Sequence, residues 1–397
     1  MFKLKIEDQS QIKLAEKLNI SKTHLLKGLF GSGISLRVAN QFRKSKKNFL
    51  LTLNDAEQAA YFLNDLEHLS GEENILFFPS SQRKVYSENN IDNSNVLQRS
   101  SVLKQISDKK QKIIVTYPEA IFEKIISKKT LKKNTLTLKK GMNISLDFIN
   151  ESLFEYGFEK VDFVSSPGDF SVRGGIIDVY SYSNQHPYRI EFFSDTINSL
   201  RTFDVKSQLS ISNIDIIDLI PNTSSISINE ERKNLIDLLP IDSVLITLNV
   251  DKIANTLDVL YKKSEESFGE LNSTVQNPPE RLFLNSNEWI NSFKNNCHLI
   301  LNKSDFLKPD TITRFNQKPQ PTFNKNFDFL VEHFNKNHKS GIVNYILCTN
   351  SKQVKRLNDI FQEMDKVVHY KISECPIHSG FEDLESKIAC FTDHEIF

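Results

Sequence analysis

The chain has 397 residues, of which 39% are hydrophobic and 25% charged, and its 50 basic residues balance 50 acidic ones to a formal net charge of zero. Two to four domains are expected at this length, folded rather than disordered. Zero net charge argues against a chain devoted to gripping nucleic acid or an anionic membrane.

The start, MFKLKIEDQSQIK, has no apolar core of signal-peptide length, and no run is long enough to span a bilayer, so a cytoplasmic protein without membrane contact is expected. Cys297, Cys348, Cys375 and Cys390 form no framework and read as reduced thiols.

Residues 1–133 alternate strand and helix signals. Asn48–Leu53 is a short buried strand. Asp55 can cap the following helix, which places Ala56, Ala59, Leu63 and Leu66 on one face and stops at Gly71. Asn74–Phe78 and Lys112–Thr116 are further strands, and Pro118 opens another helix. Short buried strands separated by helices imply an α/β unit with a mostly parallel sheet. Nucleotide-driven motors use that scaffold, so a phosphate loop is worth seeking. The one candidate is GLFGSGISL, residues 28–36. A working loop reads GxxxxGK[ST], with a lysine for the outer phosphates and a hydroxyl for magnesium. Gly28 and Gly33 hold the glycine positions, but Ile34 stands where the lysine is needed, before Ser35. A glycine turn entering a helix is the reading that remains.

Lys104–Lys140 carries eleven lysines against Asp108, Glu119 and Glu123. Such a window can hold phosphates without reading sequence, but Tyr117 and Phe122 are its only aromatics and it has no arginine. It reads as a solvated face.

Residues 134–219 form a second unit. Ser145 or Asp147 can cap a helix with Leu146, Ile149, Leu153 and Tyr156 on one face and Gly157 as its stop. The stretch Asp169–Asp204 then reads as an antiparallel meander. Phe170 and Val172, then Tyr188, Ile190 and Phe192, alternate toward a core. The outward set is Ser171 and Arg173 on one strand, with Arg189, Glu191 and Phe193 on the other. Gly174-Gly175 is expected to break the first strand at a bulge or a close backbone approach. Residues 181–187 and Ser194-Asp195 supply turns. Phe193 is a large ring on a polar face beside two arginines, which suits a protein contact or, equally on periodicity alone, cover by a neighbouring domain of the same chain. Three arginines against five carboxylates in this stretch disfavour DNA as its ligand. The capped helix should cover the inner side of the sheet and leave the other side open.

VRGGIIDVY and PYRIEFFSDTINSLRTFD resemble the second domain of the bacterial transcription-repair coupling factors, the Mfd family, and more distantly the excision-repair protein UvrB. The likeness extends from GLFGSG near residue 30 to TDHEIF at residues 392–397. It implies that the outer face of the meander docks the damage-recognition protein UvrA through Arg173, Arg189 and Phe193. It also implies that the first unit is a UvrB-like motor domain with a degenerate P-loop, completed by residues 220–312, so that the second unit is an insertion. No counterpart of UvrB's aromatic damage-probing hairpin is seen. In the family, the segments that bind RNA polymerase and translocate on duplex DNA with ATP and magnesium lie beyond the point where TDHEIF falls. The resemblance therefore implies a non-catalytic amino-terminal region, with no cofactor of its own.

Lys308–Lys325, with Pro309, Pro319 and Pro321, reads as a stiff linker. Residues 313–397 combine it with a small carboxy-terminal α/β domain: helix 327–337, strand 343–348, helix 351–364 and strand 388–392. Asp393-His394-Glu395 is similar to an acidic magnesium-binding helicase motif but lacks a lysine-bearing loop to work with. Cys375-x-x-His378 is one pair where zinc needs two, and Cys297-His298 are adjacent and point apart. No metal site or catalytic set is expected. The competing readings are a DNA-binding module on the lysine window and a residual ATPase using Gly28–Ser35 with Asp393–Glu395.

Overall fold

The structure, a computed structural model, describes residues 22–81, 93–106, 110–220, 231–270, 277–364 and 366–397, together with positions 11, 14, 16 and 18. Its first sheet has seven strands, all paired in parallel: β1 (Thr23–Lys27), β2 (Phe49–Thr52), β3 (Ile75–Phe77), β4 (Ile113–Thr116), β15 (Val244–Thr247), β16 (Cys297–Ile300) and β17 (Thr311–Arg314). The order is β17-β1-β16-β15-β2-β4-β3. Every residue of β2, β4, β15 and β16 is buried, as helices on both faces of a parallel sheet require. β15 and β16 come from the far side of the meander in sequence yet lie between β1 and β2. The helix Ala56–Ser70 is capped by Asp55, whose side chain accepts from the Gln58 amide, and ends at Gly71 with φ +90°. Its buried stripe runs through Ala59, Phe62, Leu66 and Leu69, whereas Ala56 is exposed: the cap turns the first residue toward solvent.

The second unit is a six-stranded sheet in the order β12-β11-β10-β9-β8-β7. Its strands are β7 (Glu159–Lys160), β8 (Asp169–Arg173), β9 (Ile176–Val179), β10 (Tyr188–Phe193), β11 (Thr196–Phe203) and β12 (Ser210–Asn213). The helix Leu146–Glu155, capped by the Ser145 hydroxyl on the Phe148 amide, seals the inner side. Ile149 and Leu153 from the helix share one core with Phe170, Ile177, Val179, Ile190, Ile197 and Leu200. Gly174-Gly175 is not a bulge. Arg173 pairs with Ile176, so the two glycines are a two-residue hairpin turn, with Gly174 at φ +59°, and β8 and β9 are separate antiparallel strands. Two short ladders, β5 (Ile125–Ile126) with β14 (Arg232–Lys233) and β6 (Leu136–Lys139) with β13 (Ile216–Leu219), stand on the connections between the units.

The third sheet has the order β18-β21-β22-β19-β20, from β18 (Gln317–Pro319), β19 (Val343–Cys348), β20 (Lys371–Glu374), β21 (Phe381–Asp383) and β22 (Ile388–Thr392). The helices Phe327–Lys339 and Ser351–Glu363 pack on it around Leu330, Phe334, Leu357 and Phe391. Residues 308–325 are extended as expected, but they are not a free linker. β17 hydrogen-bonds into the first sheet and β18 into the third within a few residues, because both present open edges. The two units are further joined by a fully buried ion pair between Arg37, on the helix Gly33–Lys44, and Asp383 of β21. Among the described residues, no helix is long and apolar enough to cross a membrane.

Removing one partner of a pair this deep leaves the other charge uncompensated. Asp383→Ala should therefore lower the unfolding free energy by about 3–5 kcal/mol. Urea unfolding followed by the fluorescence of Trp289, the single and buried tryptophan, measures it.

Candidate protein-binding face

On the outer side of the second sheet the ladder registers place Asp178 of β9 opposite both Ser171 of β8 and Arg189 of β10. Its carboxylate is 1% exposed and receives three charge-assisted hydrogen bonds. Arg189 donates through Nε at 2.6 Å and one terminal nitrogen at 2.8 Å, and Arg173 donates at 2.6 Å. Such bonds are short and strong, and the forked Arg189 contact fixes direction as well as distance. The bond to Asp178 raises the Arg189 pKa above its ordinary value, against the opposing effect of burial. Arg189 also lies over the Phe203 ring, 4.4 Å from its centroid, and donates to the Gln208 carbonyl at 3.3 Å.

The three residues expected to make the contact therefore share one face but not one exposure. The Phe193 ring is 80% exposed at the end of β10, beside the two-residue turn Ser194-Asp195, where Ser194 takes φ +52°. The Arg173 side chain is 44% exposed, and that of Arg189 only 16%. Alternation survives to Phe193 because β11 absorbs a bulge. Glu191 faces Ser199 and Phe192 faces Ile197, which leaves Asn198 as an extra residue. Phe192 packs on the inner core and Phe193 points away from it. Ser171 is outward but buried, since the loop 161–166 folds across β8 and the Ser171 hydroxyl donates to the Asp162 carbonyl. The face is thus partly covered on its β8 side.

Sequence reasoning missed two members of this face. Asp178 carried the signal of an acidic residue in register with the arginines, legible only once the Gly-Gly turn is recognised. Phe163, 64% exposed on the covering loop, lies under the Arg173 guanidinium at 5.1 Å and has no periodicity to betray it.

The glycine loop has the expected setting, β1 followed by the loop and a helix from Gly33. It is occupied by the chain itself. The Phe30 amide donates to the Gln317 side chain at 3.0 Å, and the Ser32 amide to the Ser379 carbonyl at 3.2 Å. A Cβ at Gly33 would run into the Gln317 carboxamide. Ile34, at the lysine position, is buried in the core. The cavity beside the loop, about 490 Å³, is lined by Asp55, Glu57 and Asp65 with Lys252, a poor match for polyphosphate. The Asp65 carboxyl is pushed up by burial, opposed by hydrogen bonds from Ser32, the His378 amide and Ser35.

The other chemical signals are engaged structurally. Asp393 accepts from the Thr349 amide and hydroxyl, and Glu395 from the Gly380 amide and Thr392 hydroxyl. His378 stacks on Tyr61 at 3.6 Å, and Cys375 is buried. Among the described residues, no group of three or more His, Cys, Asp or Glu could hold a metal ion. In the lysine window, Lys112 bonds the Glu73 carbonyl and Lys124 pairs with Glu288 at 2.7 Å, while Lys129, Lys132, Lys133, Lys139 and Lys140 are exposed; Lys109 lies outside the described residues.

Residues 136–224, which hold the sheet, its sealing helix and the polar outer face, match the family described as the UvrB interaction domain. The chain as a whole resembles the amino-terminal region of the transcription-repair-coupling factors. It is 29% identical over 254 residues to that protein of Bacillus subtilis (strain 168), covering 63% of this chain and 21% of the relative. For Escherichia coli (strain K12) the values are 31% over 123 residues, 31% of this chain and 11% of the relative. For the Borreliella burgdorferi protein they are 24% over 412 residues, 93% and 35%. The chain thus spans at most about a third of the length of these relatives.

Two outcomes follow from this geometry. Arg189→Ala should destabilise the protein on the order of 3 kcal/mol by stripping the forked contact from a buried carboxylate. Arg173→Ala, half exposed and with Asp178 still held by Arg189, should cost below about 1 kcal/mol; thermal melts of the two variants compare them. Burial lowers the His298 pKa from 6.5 to about 3. A depressed base stabilises the fold fully above its unfolded pKa and loses that contribution as pH falls. As pH falls from 6.5 toward about 3, His298 should therefore progressively destabilise the fold. His298→Asn should flatten that part of a pH–stability curve.

Proposed function

We propose that this chain is a non-catalytic, UvrB-like recruitment module that binds UvrA and brings nucleotide excision repair to stalled RNA polymerase. The observation that carries the reading is the outer sheet face, where Arg173, Arg189 and the exposed Phe193 surround Asp178 while a helix seals the opposite side. A rigid sheet with one free side can meet a partner without rearranging. The match of residues 136–224 to the UvrB interaction domain covers all of these residues. On this reading the face works without cofactor, metal or bond-making step, in the cytoplasm. Contacts with RNA polymerase and duplex DNA fall to other parts of the longer relatives. Self-occupation of the glycine loop by Gln317 and Ser379 supports a scaffold role for the first unit rather than nucleotide turnover.

The physical division of labour is simple. Phe193 contributes apolar area that only a partner can cover, on the order of 2 kcal/mol for an anchoring ring. Arg173 contributes charge and direction. Arg189 holds Asp178, and so Arg173, in place. Titrating UvrA onto the chain tests this. Phe193→Ala should weaken binding by on the order of 2 kcal/mol, roughly thirtyfold, and the triple alanine variant should abolish it; a triple variant that binds as well as the parent overturns the reading.

A further inference from the structure

The loop 161–166 is pinned rather than loose. The Asp169 carboxylate accepts from the Ser165 and Ser166 amides at 2.9 and 2.7 Å and from the Ser165 hydroxyl at 3.2 Å. The Val161 amide donates to the Phe170 carbonyl at 2.9 Å, and Ser171 ties down the Asp162 carbonyl at 3.0 Å. Of its three apolar side chains, Val164 is buried in the protein and Val161 partly so, while Phe163 is left outside. A fixed loop that presents a bare ring loses little freedom when the ring is covered, and this is the condition under which an aromatic anchor binds well.

Phe163 is also placed beside the charge it would need. Its ring faces the Arg173 guanidinium, whose terminal nitrogen is bound to Asp178. Among the described residues, the Nε and second terminal nitrogen of Arg173 make no hydrogen bond. Arg173 is thus held through one terminal nitrogen by Asp178, flanked by an aromatic ring, and left with donors to spare. That arrangement pre-orients a charged donor for an incoming carboxylate. β8 and β10 lie two strand spacings apart, about 10 Å, with Phe163 beside Arg173 on the β8 side and Phe193 at the end of β10.

We propose that Phe163 is a second aromatic anchor of the same docking face, and that the matching surface of UvrA offers two apolar sockets with a carboxylate between them for Arg173. The inference rests on the UvrA-binding reading and deepens it. It extends the contact from the β10 hairpin onto the loop before β8. Continuity with the Arg173–Phe193 face, through the Phe163–Arg173 contact, carries it.

The test is UvrA titration of the full chain with Phe163→Ala, Phe193→Ala, Arg173→Ala and the double variant Phe163→Ala with Arg173→Ala, each first checked for an unchanged thermal midpoint. Phe163→Ala should weaken binding about tenfold, and Phe163→Tyr should restore it. In the Arg173→Ala background, Phe163→Ala should still weaken binding. If it has no effect there, the ring serves only to position Arg173, and the second anchor is refuted. If Phe163→Ala binds within about twofold of the parent while Phe193→Ala is impaired, the inference fails and the UvrA reading stands. If Phe193→Ala and Arg173→Ala also bind as the parent does, the reading itself fails.

Discussion

One buried carboxylate organises the face on which the functional reading depends. Asp178 sits on the middle strand of three, between two guanidinium groups that would otherwise repel each other across the sheet. Burial removes water from the carboxylate, so its loss of hydration must be offset by the three bonds it receives. The result is a rigid polar cluster with one arginine mostly enclosed and the other left with an unused edge. The arginines are not equivalent, although both belong to the same outward set. Arg189 is a support, and Arg173 is what the support presents.

The glycine loop follows the same accounting. Backbone amides at the entry to a helix need acceptors. In a working phosphate loop a ligand supplies them; here Gln317 and the Ser379 carbonyl do. Gln317 is itself held by Asp383, which also binds Arg37 from the loop's own helix. The third unit is therefore built into the first. Its entry passes through an edge strand of each sheet, and its residues Phe381, Ile377 and Cys375 share the first unit's core.

Much of the local architecture was legible because local rules decide it. Asp55, Ser145 and Pro118 mark helix starts, Gly71 and Gly157 mark stops, and apolar runs such as FLLT and IIVT can only be buried strands. The outward direction of Phe193 followed from period-two alternation, even though a bulge in the neighbouring strand accompanies it; that no neighbouring unit covers the ring was not legible there. At Gly174-Gly175 the close backbone approach is there, with the Phe192 amide donating to the Gly175 carbonyl at 2.8 Å, but the break is a hairpin turn and not a bulge; the two call for the same residue and differ only in where the chain goes next.

The sequence by itself determined which residues could stand on the outer face, and that the phosphate loop lacks its lysine. Both depend on residue type and spacing along one strand or one turn. Only the tertiary structure decided how those residues are used. The enclosure of Arg189, the covering of Ser171, the placement of Phe163 and the filling of the glycine loop all arise from segments distant in sequence or from an aperiodic loop. Hydrogen-bond satisfaction and burial are properties of such meetings, and a one-dimensional pattern does not contain them.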